Sequence, residues 1–337
     1  MGRFILRLLL ALIAIAVASI AQDQTPLKKI HELPFPSAVK GRLDHLGVDT
    51  HGNRLFVVAE EFHQVLVFDL ATGKYLRSIS IDHPHAVLYR SDLEHIYITD
   101  EGKGVLNIYD GKNYSLLKSV PLKVDADSIG YDPATHYLYI VNGGDNAHET
   151  FTMLSVVDTT SEQKLADIKI DGDTLEAMAL ETLGDRLFLD NPAKNEVEVI
   201  NRKTNKVIAS WPVKLGKGNA TMALDESRHR LFVGCRSGQI VVFDTTTGKE
   251  LQALTIGPRA DDLMFDAGGK RIYATSGGAG EVDAYKENDP DHYQSLGKVR
   301  TAPGAKTGLF VPQSGLLYVA VPPQGAIAGR VYVYTAQ

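Results

Sequence analysis

The apolar phrase RLFVGC at residues 230–235 recurs along the chain as RLFVVA (54–59), HIYITD (95–100), YLYIVN (137–142), RLFLDN (186–191), RIYATS (271–276) and LLYVAV (316–321). The second residues of these runs are Leu55, Ile96, Leu138, Leu187, Leu231, Ile272 and Leu317, separated by 41, 42, 49, 44, 41 and 45 residues. A chain built on a period of roughly 40 residues is confined to a propeller, a solenoid or an array of like units.

The content of one unit decides among these. In the fifth, four short runs follow each other: TMALD (221–225), RLFVG (230–234), QIVVFD (239–244) and ELQALTI (250–256). They are rich in β-branched and aromatic residues, and several alternate apolar with polar. The connections carry turn chemistry: DTHGNR, DESRHR, DAGGKR and PQSG between first and second strands, DLATGK and DTTTGK between third and fourth. Asp and Asn bond their own backbone in such turns, and Gly supplies positive φ. No stretch beyond residue 22 has a helical period. Seven units of four antiparallel strands predict an all-β, seven-bladed β-propeller. The last unit holds only KTGLFV (306–311), LLYVAV (316–321) and RVYVYT (330–335), whereas LKKIHEL (27–33) has no unit of its own. Pairing LKKIHEL with RVYVYT completes the seventh blade and hides both edges. An open array would leave both ends unpaired.

YITD (97–100), YIVN (139–142) and QIVVFDTTTGK (239–249) resemble the YVTN-type repeats of exported seven-bladed β-propellers, including YncE-like and lactonase-like proteins. The resemblance spans the chain beyond the leader. It implies the propeller fold and export, and it allows several activities without selecting one. Blades four and six depart from the phrase, with FLDN, YATS, VEVINR and VDAYKE.

The first residues, MGRFILRLLLALIAIAVASIAQDQ, place Arg3 and Arg7 before an apolar run and small residues at Ser19 and Ala21. This predicts a signal peptide over residues 1–21 and a single propeller domain over 22–337, secreted or periplasmic, with no membrane span after cleavage. The one cysteine, Cys235, allows no internal disulfide and reads as a buried thiol. A net charge of −6 gives no electrostatic reason to expect nucleic acid. There is no CxxCH for haem, no dinucleotide fingerprint for NAD, no serine elbow, and one tryptophan, too few for a quinone-dependent propeller dehydrogenase. The expected state is a monomer.

In a four-stranded meander, the first-to-second and third-to-fourth turns share one face; here they are short and uniform. The second-to-third loops and blade connections share the other, and there the units differ, which makes that face the functional candidate. Counting back ten residues from the second-strand markers gives His45, Ser128, Ala177, Thr221, Asp262 and Thr307; one further gives Asp44, Asp127, Glu176, Ala220, Asp261 and Lys306. In blade two an extra residue in the first turn is taken to set His85 beside Pro84 in these places, with His83 near. The channel mouth is then predicted to read Asp, Pro, Asp, Glu, Ala, Asp, Lys, flanked by His45 and His85, with Arg42, Asp125, Asn219 and Arg259 close in sequence. Carboxylates converging on a low-dielectric funnel repel and invite a counter-charge.

The leading reading is an exported propeller that binds a small polar ligand, a cation or a protein partner there, through Arg42, Asp44, His45, His83, His85, Asp127, Glu176, Asn219, Arg259, Asp261 and Lys306. Asp44, Asp127, Glu176 and Asp261 are the metal candidates, suited to Ca²⁺, Mg²⁺ or Mn²⁺, with Zn²⁺ if histidines dominate. The bland alternative is a hydrated channel whose polar groups solvate one another. An enzyme of lactonase or lyase type is the second reading: a metal polarises a carbonyl, His45 or His85 moves a proton, and Lys306 or Arg259 steadies negative charge. A surface structural or protein-interaction module is the third. His83 and His85, one residue apart on an extended run, point to opposite sides unless Pro84 bends the chain.

Overall fold

The computed structural model describes residues 25–337; the expected signal peptide lies outside them. Seven antiparallel four-stranded sheets follow one another along the chain. The innermost strands are Leu46–Asp49, Pro84–Arg90, Ile129–Asp132, Met178–Leu180, Asn219–Asp225, Ala260–Asp266 and Gly308–Val311. Each packs against the next, and the seventh packs back on the first, so the sheets close a ring. The only helical elements among the described residues are three single turns, at Glu60–Phe62, Asp145–Ala147 and Glu226–Arg228, and no helix there is long and apolar enough to cross a membrane.

The ring is latched as the repeat count requires. Strand Leu27–Pro34 runs antiparallel to Arg330–Ala336, pairing Leu27 with Ala336 and Pro34 with Arg330. A register irregularity between Lys29 and His31 leaves Ile30 exposed, while Leu27 and Leu33 are buried. Glu32 and Arg330 add an ion pair at 3.1 Å across the joint.

Alternation along the second strands builds the core between blades. In Arg54–Ala59, Leu55, Val57 and Ala59 face the seventh blade, whereas Phe56 and Val58 face the second. The turns behave as their residues dictate. Asp110 Oδ1 accepts from the backbone N–H groups of Lys112 and Asn113 at 2.8 Å each, and Asp244 Oδ1 does the same with Thr246 and Thr247 at 2.9 Å. Gly73 and Gly248 take φ of 68° and 70° in the TGK turns. Cys235 is fully buried, and burial pushes its thiol up to about 12.

The arginine that opens many second strands has a structural use that spacing alone did not reveal. Arg54 bonds Asp49 at 2.7 Å within its own blade, then reaches the next blade to bond the Gly111 carbonyl and the Tyr114 hydroxyl. Arg186, Arg230 and Arg271 likewise reach the carbonyls of Thr245, Pro290 and Gln337 in the following blade. Where the second strand opens on His95 or Tyr137, other arginines bridge the blades: Arg90 to Thr159, and Arg202 to Asp132. Arg54→Ala leaves the buried Asp49 carboxylate unpaired, which costs about 3 kcal/mol. Chemical denaturation is expected to show a loss of that size; an unchanged midpoint would mean the staple contributes nothing.

Candidate functional site

The residues at the channel mouth stand where each blade connection enters its innermost strand, and backbone bonds to the second strand fix them there. Asp44 N–H donates to Val58 O at 2.9 Å, Asp127 N–H to Val141 O at 2.9 Å, and Glu176 N–H to Asp190 O at 3.1 Å. Blade two corrects the sequence expectation. Its innermost strand pairs Val87 with Ile98 just as blade one pairs Leu46 with Val57, so its first turn carries no extra residue. His85, not Pro84, therefore takes the Asp44 position. The mouth reads Asp44, His85, Asp127, Glu176, Ala220, Asp261 and Lys306, around a cavity of about 170 Å³.

These charges are woven together. His85 Nδ1 lies 3.2 Å from Asp127 and 3.5 Å from Asp44, while its Nε2 lies 2.8 Å from Glu101 and 3.9 Å from Glu60. The Nε2–Glu101 contact is an ion pair. His45 sits 3.4 Å from Asp262 and 3.6 Å from Asp44. Lys306 holds Asp261 at 2.5 Å and stands 4.0 Å from Asp44. Arg236 grips Glu176 at 2.9 Å and reaches Asp261 at 3.4 Å.

Above this floor the funnel widens into a recess of about 530 Å³. Arg42 pairs there with Glu60 at 2.7 Å and Glu61 at 2.9 Å. From the long blade-three loop, Asn146 donates to Asp125 at 2.8 Å. Beside it, a recess of about 800 Å³ reaches Arg259, which is exposed, takes φ of 58° and is in no ion pair among the described residues. Over the whole funnel, carboxylates outnumber lysine and arginine.

Burial and neighbours set the protonation states. Burial opposes a charged His85, but its contacts with Asp127 and Glu101 outweigh that and raise it to about 12. Burial likewise opposes a charged His45, and Asp262 and Asp44 outweigh it, raising the ring to about 10. Asp127 and Asp261 are partly buried, which would raise them, yet His85 and Lys306 respectively hold them below the usual carboxylate range. His85 also lowers Glu101. Burial wins at Asp44, which is raised despite His45 and Lys306, and at Glu176, which is raised to about 7 despite Arg236.

The structure brings Arg42, Asp44, His45, His85, Asp127, Glu176, Asp261 and Lys306 together and sets Arg259 on the rim. Asn219 stands apart from the funnel: it is fully buried and donates to Asp190 at 2.7 Å. His83 lines the same recess as His85 but meets His63 edge to face, with ring centroids 5.0 Å apart, and falls in a different group of ligand atoms, so Pro84 does not bring the two nearby histidines onto one ion. The four carboxylates taken as metal candidates do not gather at one point; Asp127, Glu176 and Asp261 each hold a cationic side chain instead. A tighter group does form, in which one ligand atom each of Asp44, Glu60 and His85 lies within 4.8 Å of the others.

Counting back from the second-strand markers does not reach Glu60, Glu101 and Arg236. Their place in the second-to-third loops was the available signal. Asp262 joins because a bulge between Ala260 and Asp262 lets both Asp261 and Asp262 serve the mouth. Asp190, whose carboxyl burial raises well above the ordinary range, shows in sequence as the acidic break in FLDN.

Fold and site together define a seven-bladed β-propeller with a charged funnel at one end of its axis. No protein-family model matches the chain. A 96-residue stretch is 28% identical to the uncharacterized protein YncE of Salmonella typhi and covers 28% of this chain and 27% of that protein. The YncE of Salmonella typhimurium strain LT2 is 27% identical over the same length, so the match spans 27% of the length of either relative. Among solved structures, the RRP9 WD40 repeats superpose with a TM-score of 0.77 at 13% identity, over 93% of this chain and 99% of that one. A chain of the mitotic checkpoint complex gives 0.75 at 14%, over 98% of each. A chain of Kuenenia stuttgartiensis hydrazine synthase gives 0.70 at 15%, over 84% of this chain and 94% of that one. Likeness at such identities concerns the fold alone.

Glu176 yields a test of the electrostatics. Its folded-state carboxyl near 7 lies above an ordinary value of about 4.3, so the folded protein binds this proton more tightly than the unfolded chain. Its contribution to stability is complete below about pH 4.3 and is lost as pH rises through about 7. Glu176→Gln is expected to flatten the decline of the denaturation midpoint across that window. A variant that tracks the parent would show that Glu176 does not titrate there.

Proposed function

We propose that this protein is an exported, YVTN-type propeller that binds a divalent cation at Asp44, Glu60 and His85, with a small polar molecule seated above it in the funnel. The observation that carries the reading is the convergence of those three side chains at the base of an open recess. Two carboxylates and one imidazole, completed by water, suit a hard or borderline ion such as Mn²⁺. His85, raised by Asp127 and Glu101, and Arg42, paired with Glu60 at 2.7 Å, show how strongly this group of residues attracts positive charge. An ion held by Asp44, Glu60 and His85 would require the neutral imidazole of His85, so its binding would be pH-dependent. The basic flank of Arg236, Arg259 and Lys306 then suits an anionic or carbonyl group of the second ligand. Export is supported by the basic, apolar and small-residue order of residues 1–21.

A metal-assisted lactonase or lyase is the second reading, favoured by Glu176. A carboxyl near 7 on the funnel floor is poised for general-base work. In that case, turnover of a panel of lactones by the Mn²⁺-loaded protein disappears in Glu176→Gln while Mn²⁺ binding remains.

Mn²⁺ at a hundredfold excess over its dissociation constant should stabilise chelator-treated protein by about 2.7 kcal/mol. Asp44→Asn combined with Glu60→Gln should remove the rise in melting temperature while leaving the fold intact by circular dichroism. A rise that survives in the double variant would place the ion elsewhere and end this reading.

A further inference from the structure

We propose that His63, Asp82 and His83 form a second, separate metal site on the outer rim of the funnel, one that takes a borderline transition-metal ion such as Zn²⁺. One ligand atom from each residue lies within 4.8 Å of the other two, and all three side chains are exposed. Two imidazoles and one carboxylate are a softer donor set than the pair of carboxylates that dominates Asp44, Glu60 and His85, and imidazole favours Zn²⁺, Ni²⁺ and Cu²⁺. An exposed site of three protein ligands leaves positions for water or for a group of a bound molecule.

The geometry around the three residues is built rather than incidental. The Nδ1–H of His63 donates to the backbone carbonyl of Asp82, which in the neutral ring leaves Nε2 as the nitrogen with a lone pair, the kind of contact that orients metal-bound histidines. His63 takes φ of 58°, its N–H is held by Glu60 O at 3.0 Å, and its carbonyl accepts from Ile81 N–H at 3.1 Å. Pro84 confines the backbone of His83 to the extended region. The His83 N–H is also held by Asp100 Oδ1 at 3.3 Å, and its carbonyl accepts from Glu101 N–H at 2.9 Å. Gly102 packs beneath the His83 ring: a Cβ there would meet Cδ2 at 2.7 Å, so only glycine leaves the imidazole this position. The rings meet edge to face, 90° apart, with centroids 5.0 Å apart. The ligands thus come from the second-to-third loop of blade one and the connection into blade two, both fixed to the same blade boundary, and little freedom is lost when an ion binds. Lys103, 3.9 Å from Asp82, is the counter-charge the ion displaces.

The proposal is separable from the cation at the funnel base, because the two sites share no residue. Tag-free protein, stripped with chelator, is titrated with Zn²⁺ by calorimetry and with Co²⁺ by visible absorption. The parent should bind Zn²⁺ at this site, with Co²⁺ showing ligand-field bands of mixed nitrogen and oxygen coordination. His63→Ala and His83→Ala should each weaken Zn²⁺ by at least about tenfold, the loss that removing even an outer partner of a metal ligand causes. Gly102→Ala, which touches no ion, should weaken it as well by displacing His83, and Lys103→Met should tighten it. The Asp44→Asn, Glu60→Gln double variant should bind Zn²⁺ at the rim as the parent does. Unchanged Zn²⁺ affinity in both histidine variants overturns the rim site, as does loss of all Zn²⁺ binding in the Asp44, Glu60 double variant, which would assign the ion to the funnel base.

Discussion

The pairing of Leu27–Pro34 with Arg330–Ala336 is the constraint on which the rest depends. Each blade supplies one residue to the mouth, and none of them makes a site alone. They become neighbours only because the first and seventh innermost strands are brought together when the ring shuts. Lys306, from the last blade, reaches Asp44 of the first and Asp261 of the sixth. The contact between residues 262 positions apart in sequence is a product of closure, and the funnel's electrostatics follow from it. Closing a sheet system in this way also leaves no inner edge open to pairing with another chain.

Once assembled, the mouth answers a physical problem with local pairs. Carboxylates crowded in a low-dielectric cavity cannot all stay charged without partners. Lys306, Arg236, His45 and His85 are interleaved with them, so most of the floor is neutralised in place. The excess falls on Asp44 and Glu176, both raised by burial, and on Glu60 and Glu61, which share Arg42. The funnel is therefore not a uniform acidic well: Glu176 stands on blade four, and Asp44, Glu60 and Glu61 gather on the wall of blade one. The rim histidines His63 and His83 continue that wall outward with softer donors.

The fold was legible because propeller architecture is written in periodicity. Repeats of the Leu55 type fix the blade count, and a seventh unit that is one strand short fixes the latch. The floor of the site was legible by counting, since a backbone position in a repeat carries over from blade to blade. Counting failed at His85, where Pro84 and its neighbouring histidines disguised an unchanged turn length. It also failed where a side chain's reach, rather than its backbone position, decides. Arg236 spans from its loop to Glu176 and Asp261, and Glu60 and Glu101 lean in to His85; such choices depend on rotamers and on neighbouring blades that no spacing encodes. Asn219 shows the converse, a polar residue close in sequence to the ring and turned into the interface of blades four and five. Arg54 and its counterparts were visible as a repeated letter, but their bridging role needs the next blade in view.

The most direct measurement is thermal unfolding of the chain lacking residues 25–34, with and without Mn²⁺, set against the parent. If closure creates the site, the truncated protein melts at lower temperature, over a broader range, and without any response to Mn²⁺. A truncated protein that melts as high and as sharply as the parent, and gains the same stabilisation from the ion, contradicts the account.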